Sequence, residues 1–274
     1  MATYENRQPQ IFNIKTKQNI SMPLPQTPRK EYFQISDRFK KIKFLGKGKY
    51  SDVYMAVDKI TNCIFAIKII KKSIINQFNL SKLLTQEIKI LSQLNHSNIM
   101  KFYGVMSDDK EVVIILECCE SSLYKLYDKL DQINEVQKQQ MIYEILQAFS
   151  YLHDRRIVHR DVKPENIMMI QNHIKIGDFG LAVELKGKQK LKSICGTPYY
   201  MAPEVCKGLE YDNKADCYSL GVIIEELKCK SNEIRNMVHI LKQNDCNLRG
   251  NVKDFLQLKI FQKVKQILSQ TILK

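Results

Sequence analysis

The chain has 274 residues, 44% of them hydrophobic, and carries 43 Lys/Arg against 29 Asp/Glu for a formal charge of +14. That supply of apolar residues builds one large domain or two small lobes with a core, and it excludes a wholly disordered chain. No run approaches the roughly 18 apolar residues of a membrane span, and the opening MATYENRQPQ lacks the apolar heart of a signal peptide, so a soluble protein of cytoplasm or nucleus is expected.

The charge is concentrated at the ends. Residues 1–40 hold seven Lys/Arg against three Asp/Glu and residues 228–274 hold ten against three, which places +11 of the +14 there. No Lys/Arg stripe interleaved with aromatics marks a nucleic-acid face, so the basic ends read as solvated surface and no specific nucleic-acid site is expected. The eight cysteines include no CxxC pair, which points to reduced thiols and away from a zinc site or disulfide framework.

In chain order, residues 1–38 are polar, with Pro23, Pro25 and Pro28, and predict an irregular basic tail. From Phe39 the alternating stretches KKIKFLG, DVYMAV and IFAIKII predict strands, QEIKILSQL predicts a helix, and FYGVM and VVIILE predict two further strands. Residues 39–119 thus read as a small antiparallel sheet with one helix. Beyond Ser122 the period turns helical in LYKLYDKL, VQKQQMIYEILQAFSYLHD, ADCYSLGVIIEEL, MVHILKQ and DFLQLKIFQKVKQIL, so residues 120–274 read as a larger helical lobe and the whole as α+β. In the last run Phe255, Leu258, Phe261, Val264 and Leu268 suit burial on one face, although a basic amphipathic helix also suits calmodulin or a membrane surface.

Five short strings carry candidate chemistry. Gly46-x-Gly48-x-x-Ser51-x-Val53 suits a strand, tight turn and strand, where glycine lets backbone N–H groups approach a phosphate; a plain turn has the same pattern. Lys68 closes a β-pattern and Glu87 lies nineteen positions later on the helix, which alone is an ordinary surface pair. HRDVKPENIM presents Asp161, Lys163 and Asn166 from one short loop, IKIGDFGLA presents Asp178 after a strand, and CGTPYYMAPE ends at Glu204. Singly these are a capped turn, a type I or II turn and a helix that starts with an early proline.

Together, in this order, they resemble the signature set of protein kinases over about residues 39–270. The resemblance implies a bilobal fold with ATP and Mg²⁺ as cofactors and protein Ser/Thr hydroxyls as acceptors. It makes Leu45, Gly46, Gly48, Ser51 and Val53 a flap over the phosphates, with Ser51 at the third glycine position. Val53 and Ala66 would sandwich adenine, Leu116 would precede the hinge, and the backbone of Glu117 and Cys119 would hold the base. Lys68 would serve the α- and β-phosphates, paired with Glu87, while Asn166 and Asp178 would hold the metal. Asp161 would orient the acceptor hydroxyl and take its proton, and Lys163 would neutralise the transferring phosphate. These assignments match the physics, because phosphoryl transfer needs cations and hard oxygen ligands more than covalent chemistry by the protein. Leu91, Phe102, His159 and Phe179 resemble the stacked spine anchored by Asp216, a role indistinguishable from core packing.

Lys163 and Thr197 resemble Ser/Thr kinases. LGKGKY and QEIKILSQLNHSNIMKFYG resemble aurora kinases, whereas IGDFGLAVELK with LKSICGTPYY resembles polo-like kinases; no D-x-D-x-D-G loop signals an EF-hand. Glu165 and Glu226 match acidic positions that receive upstream arginine in basophilic kinases. Ser193 lies where those relatives carry an activating phosphate, with Arg160 placed to receive it. After the helix ending near Leu227, the αG helix usual in kinases is missing, and Arg249 stands where a partner for Glu204 is expected. The competing reading is a pseudokinase or scaffold, although the chain keeps Lys68, Asp161 and Asp178.

Overall fold

The computed structural model describes residues 34–272, and the sequence-predicted tail over residues 1–33 lies outside them. The contacts divide the chain into two compact units. In the first, α1 (Ile35–Arg38) leads into β1 (Phe39–Lys47), β2 (Asp52–Asp58) and β3 (Ile64–Lys71), followed by α2 (Lys72–Gln77), β4 (Phe102–Ser107) and β5 (Glu111–Leu116). Regular structure therefore starts before the sequence-predicted boundary at residue 38. Ile35 is buried with Phe39, Ala56, Phe65, Ile67, Ile69 and Val113, and its amide donates to Asp108 Oδ2 at 3.1 Å. The sheet runs β1-β2-β3-β5-β4, antiparallel through the pairings β1–β2, β2–β3 and β3–β5. Asp58 closes the β2–β3 turn: Arg38 donates to its Oδ2 through Nη2 (2.8 Å) and Nε (3.1 Å), and the Ile60 amide donates to Oδ1.

The second unit takes residues 80–102 and 119–272. Its first helix, α3 (Ser81–Gln93), is the one expected to accompany the small sheet, but its contacts group it here. LYKLYDKL forms a 3₁₀ stretch, Leu123–Gln132, rather than an α-helix. The central α4 (Glu135–Asp154) starts at a reciprocal cap, with the Gln137 amide donating to Asn134 Oδ1 (2.9 Å) and the Asn134 amide to Gln137 Oε1 (3.2 Å). It buries Ile142, Ile145, Leu146, Phe149 and Leu152 completely. Short strands cross it: β6 (Ser121–Ser122), β8 (Ile167–Ile170) and β9 (His173–Ile176) form one sheet, and β7 (Ile157–Val158) pairs with β10 (Val183–Glu184). Glu144 of α4 accepts the Ile174 amide at 2.7 Å, which fixes the β8–β9 hairpin on the helix.

After α5 (Pro203–Cys206), the almost fully buried α6 (Lys214–Glu226) passes through residues 227–231 straight into α7 (Asn232–Leu241). No helix stands between them, as the sequence implied. The two pack closely at Gly221, where a Cβ would lie 2.7 Å from Lys242 Cγ and 3.0 Å from Leu241 Cβ. The last apolar run is broken into α8 (Val252–Phe255), a 3₁₀ turn (Lys259–Phe261) and α9 (Gln262–Ile272). Phe255, Phe261 and Val264 are buried, Leu258 and Leu268 half-buried, and the Phe261 ring lies 5.3 Å from that of Tyr143 on α4. That apolar face is spent on the core, which removes the basis for a calmodulin or membrane helix. Among the described residues no helix is long and apolar enough to cross a membrane.

Candidate active site

In the first unit the glycine-spaced string is the β1–β2 hairpin. The Gly48 amide donates to the Ser51 carbonyl at 2.7 Å, and Gly46 pairs with Val53 in the ladder. A Cβ on Gly48 would meet Ser51 Oγ at 2.8 Å, so a side chain there would make the Ser51 hydroxyl turn away. Leu45 and Gly46 end β1, and Val53 on β2 faces Lys68 on β3 in register, while Ala66 pairs with Leu116 of β5. Glu117 follows β5 directly. Lys68 therefore lies on the sheet's central strand, with a backbone fixed from both sides.

In the second unit the HRD loop is tied down from below. Asp216, 1% exposed at the start of α6, accepts the His159 amide at 2.8 Å through Oδ2 and the Arg160 amide at 3.0 Å through Oδ1. His153 Nε2 lies 3.2 Å from Oδ2, a third partner that no local sequence signal announces. Two charged residues adopt left-handed backbone here, Arg160 (φ 67°) and Asp178 (φ 52°). Such conformations cost about 1–3 kcal/mol each and persist where surrounding bonds over-determine them.

On this support the polar groups converge. Lys163 Nζ sits 2.8 Å from Asp161 Oδ2 and donates to Thr197 Oγ1 at 3.1 Å, and the Thr197 hydroxyl donates to Asp161 Oδ1 at 2.8 Å. Asn166 spends its amide nitrogen on Asp161, donating to the carbonyl at 2.8 Å and to Oδ2 at 3.2 Å. Its side-chain oxygen is left as a hard acceptor. The Gly177 amide donates to the Asn166 carbonyl at 2.9 Å, which brings the backbone that carries Asp178 beside Asn166. One amide oxygen and one carboxylate suit Mg²⁺, which takes one or two protein carboxylates and completes its shell with water and phosphate. Among the described residues no cluster of three or more His, Cys, Asp or Glu forms a denser metal cage. The His159 and Phe179 rings meet at a tilt of 58° with centres 5.1 Å apart, and Leu91 is buried; Phe102 is half-buried.

The segment after Asp178 is anchored at residues that the motifs did not single out. Leu191 and Tyr211 exchange backbone bonds at 2.8 Å, and the Lys190 ammonium pairs with Asp212. Burial pushes the Asp212 carboxyl up, but the Lys190 bond and the Lys214 amide outweigh it and hold it below the usual carboxylate value. Ser193 is exposed, yet Arg160 Nη1 donates to its hydroxyl at 2.8 Å and the Tyr211 hydroxyl donates to its carbonyl at 2.8 Å. Gly196 adopts φ 110°, and a Cβ there would fall 2.5 Å from the Arg160 carbonyl, so the approach that sets Thr197 on Asp161 requires glycine.

Glu204 and Arg249 form a buried fork, with Nη1 donating to Oε1 at 2.6 Å and Nη2 to Oε2 at 2.7 Å. Arg249 is 1% exposed, also donates to the carbonyls of Gln243 and Lys214, and lies 5.1 Å from the centre of the Tyr218 ring. The two acidic residues singled out for substrate charge differ: Glu165 is exposed, whereas Glu226 accepts from the hydroxyls of Tyr127 (2.6 Å) and Tyr200 (3.3 Å). Burial, followed by that carboxylate, pushes both tyrosines far above their ordinary pKa, so they stay donors. Glu87 is buried on α3.

The fold and the tied HRD, DFG and APE strings define a protein kinase, and the family profile described as Protein kinase domain matches residues 39–272. The chain belongs to this family. It is 38% identical over 193 residues to the aurora kinase of Saccharomyces cerevisiae, a match covering 70% of this chain and 53% of that protein. It is likewise 38% identical over 193 residues to the serine/threonine-protein kinase polo of Drosophila melanogaster, covering 69% and 33%. Calcium-dependent protein kinase 5 of Plasmodium berghei is 40% identical over 192 residues, covering 68% and 33%. The matches thus span between a third and a half of these relatives' own length. The chain is close to aurora and polo kinases alike, as its motifs implied.

Proposed function

We propose that the chain transfers the γ-phosphate of ATP to serine or threonine hydroxyls of protein substrates. The observation that carries this reading is the convergence of Lys163, Asn166 and Thr197 on the single carboxylate of Asp161. Asp161 orients the acceptor hydroxyl and takes its proton, and Lys163 supplies positive charge beside it as negative charge develops on the transferring group. Thr197 acts as a positioning residue for both. Asn166 and Asp178 would hold Mg²⁺, which neutralises phosphate charge when bound. Lys68, Glu87 and the flap residues keep the roles that the resemblance gave them, and the compartment is cytoplasm or nucleus.

Two finer assignments go with this reading. Ser193 is a phosphorylation switch, supported by its exposed hydroxyl on the Arg160 guanidinium: a phosphate there would add about −2 charge against a cation already aimed at it. Substrates with upstream arginine are preferred, through Glu165 more than through Glu226, whose carboxylate two tyrosines occupy.

The test is labelled ATP with a generic basic protein as acceptor, comparing the chain with Asp161→Asn. Transfer by the natural chain alone is expected. Equal transfer by both, or by neither, would overturn the catalytic reading, and nucleotide binding without transfer would favour a pseudokinase scaffold. A peptide array indifferent to upstream arginine would overturn the basic preference.

A further inference from the structure

Where α6 runs directly into α7, the second unit carries a groove of about 760 Å³. Its floor is Ile224, Ile234 and Val238, all at most 7% exposed, so these three side chains themselves offer little surface to an occupant. Its rim is cationic: Lys228, Lys230, Arg235 and Lys242 line it beside His239, with Glu225 the one carboxylate among the lining residues. Glu225 already pairs with Lys242. Among the described residues no carboxylate is within ion-pair distance of the Lys228, Lys230 or Arg235 side chains, although the Glu135 carboxylate feels the Lys230 charge.

Part of this rim is pre-set. Arg235 Nη2 donates to the Lys230 carbonyl at 2.7 Å, and the Lys230 amide donates to Glu135 Oε2 at 2.8 Å, which anchors the link to α4. A guanidinium fixed by one donor keeps its others for a carboxylate, and less entropy is lost when that bond forms. The complement is therefore a chain of carboxylates. The N-terminal residues 1–33 do not supply it, because they hold five Lys/Arg against two Asp/Glu. No aromatic lines the groove to stack a nucleic-acid base, and its apolar residues are sealed below the rim rather than projecting as a membrane-seeking face does.

We propose that this groove docks an acidic peptide segment of a partner protein through Lys228, Lys230 and Arg235. The proposal goes beyond phosphoryl transfer and stands without it. The experiment is fluorescence anisotropy of the full chain with a dye-labelled peptide of alternating glutamate and alanine, alongside a lysine–alanine peptide, labelled oligo-dT and phosphatidylserine vesicles. Binding of the glutamate peptide alone is expected. The double variant Lys230→Gln/Arg235→Gln should weaken it about tenfold, as expected for loss of charge-assisted bonds, while Lys259→Gln/Lys263→Gln, with the same charge change on exposed side chains of the last 3₁₀ turn and α9, should leave it unchanged. Lys230→Arg, which keeps the charge and leaves the Arg235 guanidinium in place, should retain binding. A thermal melt establishes that each variant folds, and Lys228→Gln, expected to weaken binding, is read instead if the double variant does not. No binding of the glutamate peptide, equal weakening by the Lys259/Lys263 variant, or oligo-dT or vesicles bound in its place and released by the groove variant, would overturn the proposal.

Discussion

At the scale of single residues, the site depends on side chains that each satisfy several partners. Arg160 ties the HRD loop to Asp216 through its amide and to Ser193 through its guanidinium, so phosphate chemistry at Ser193 would be felt at the loop that carries Asp161. Charge-assisted hydrogen bonds contribute about 1.5–3 kcal/mol. In a phosphorylated preparation, Ser193→Ala should accordingly reduce peptide phosphorylation by about tenfold or more; full activity in the alanine variant removes the switch. Asp58 gives a second residue-level expectation. Burial raises its pKa, but the Arg38 bond and the turn amides more than reverse this and leave it below its ordinary 3.8. A carboxyl depressed in the folded state stabilises the protein fully above the unfolded value and loses that contribution as pH falls through the folded one. The melting temperature should fall on acidification below about pH 4. Asp58→Asn should melt lower at neutral pH and show a shallower acid limb, and an unchanged acid limb would remove Asp58 from the account.

At the scale of elements, the direct passage from α6 to α7 requires a close helix contact, and Gly221 provides it. Gly221→Val should destabilise the second unit by about 1–3 kcal/mol through overpacking, despite replacing a helix-interior glycine. Chemical denaturation measures this, and a neutral or stabilising effect would show that α7 sits more loosely on α6 than Leu241 and Lys242 imply. Elements were legible in the sequence where their pattern was long or regular. The strands of the first unit and the helices α3, α4, α6 and α7 all follow their apolar periods. LYKLYDKL and DFLQLKIFQKVKQIL were less so: apolar spacing tells which residues seek the core, but not whether the chain reaches it by an α-turn, a 3₁₀ turn or a break. In the last run Phe255, Phe261 and Val264 are buried as anticipated while Leu258 and Leu268 are half-buried, and the backbone of neither run was anticipated.

At the scale of the whole molecule, the proposed function makes the absent helix and the basic ends the features that would govern how protein substrates are met. If tails rich in Lys/Arg recruit acidic surfaces, salt should weaken phosphorylation of whole proteins more than that of short peptides, because exposed charges are screened beyond about 8 Å at physiological ionic strength. Parallel salt titrations with both substrates check this, and identical slopes would leave recruitment unsupported. A complete domain should also melt cooperatively, and Mg·ATP at about a hundred times its dissociation constant should add about 2.7 kcal/mol of stability. A non-cooperative melt without ligand response would mark the shortened helical unit as unstable.

The sequence by itself determined the family, the polar residues of the HRD, DFG and APE strings, the order of elements and the missing helix, because each is written in residue type and spacing along one stretch of chain. Only the tertiary structure decided what those residues touch. Asp161 holds Thr197 from 36 positions away, and Tyr211 and His153 support Ser193 and Asp216 with no motif of their own, whereas the Arg249 fork on Glu204 was implied by the resemblance. The same holds for the groove beside α7, whose cations are unremarkable surface residues in the sequence. Local pattern records the hydrophobic period and the turn chemistry of each segment, whereas a hydrogen bond or an unmatched charge depends on which distant segments the packed core brings together.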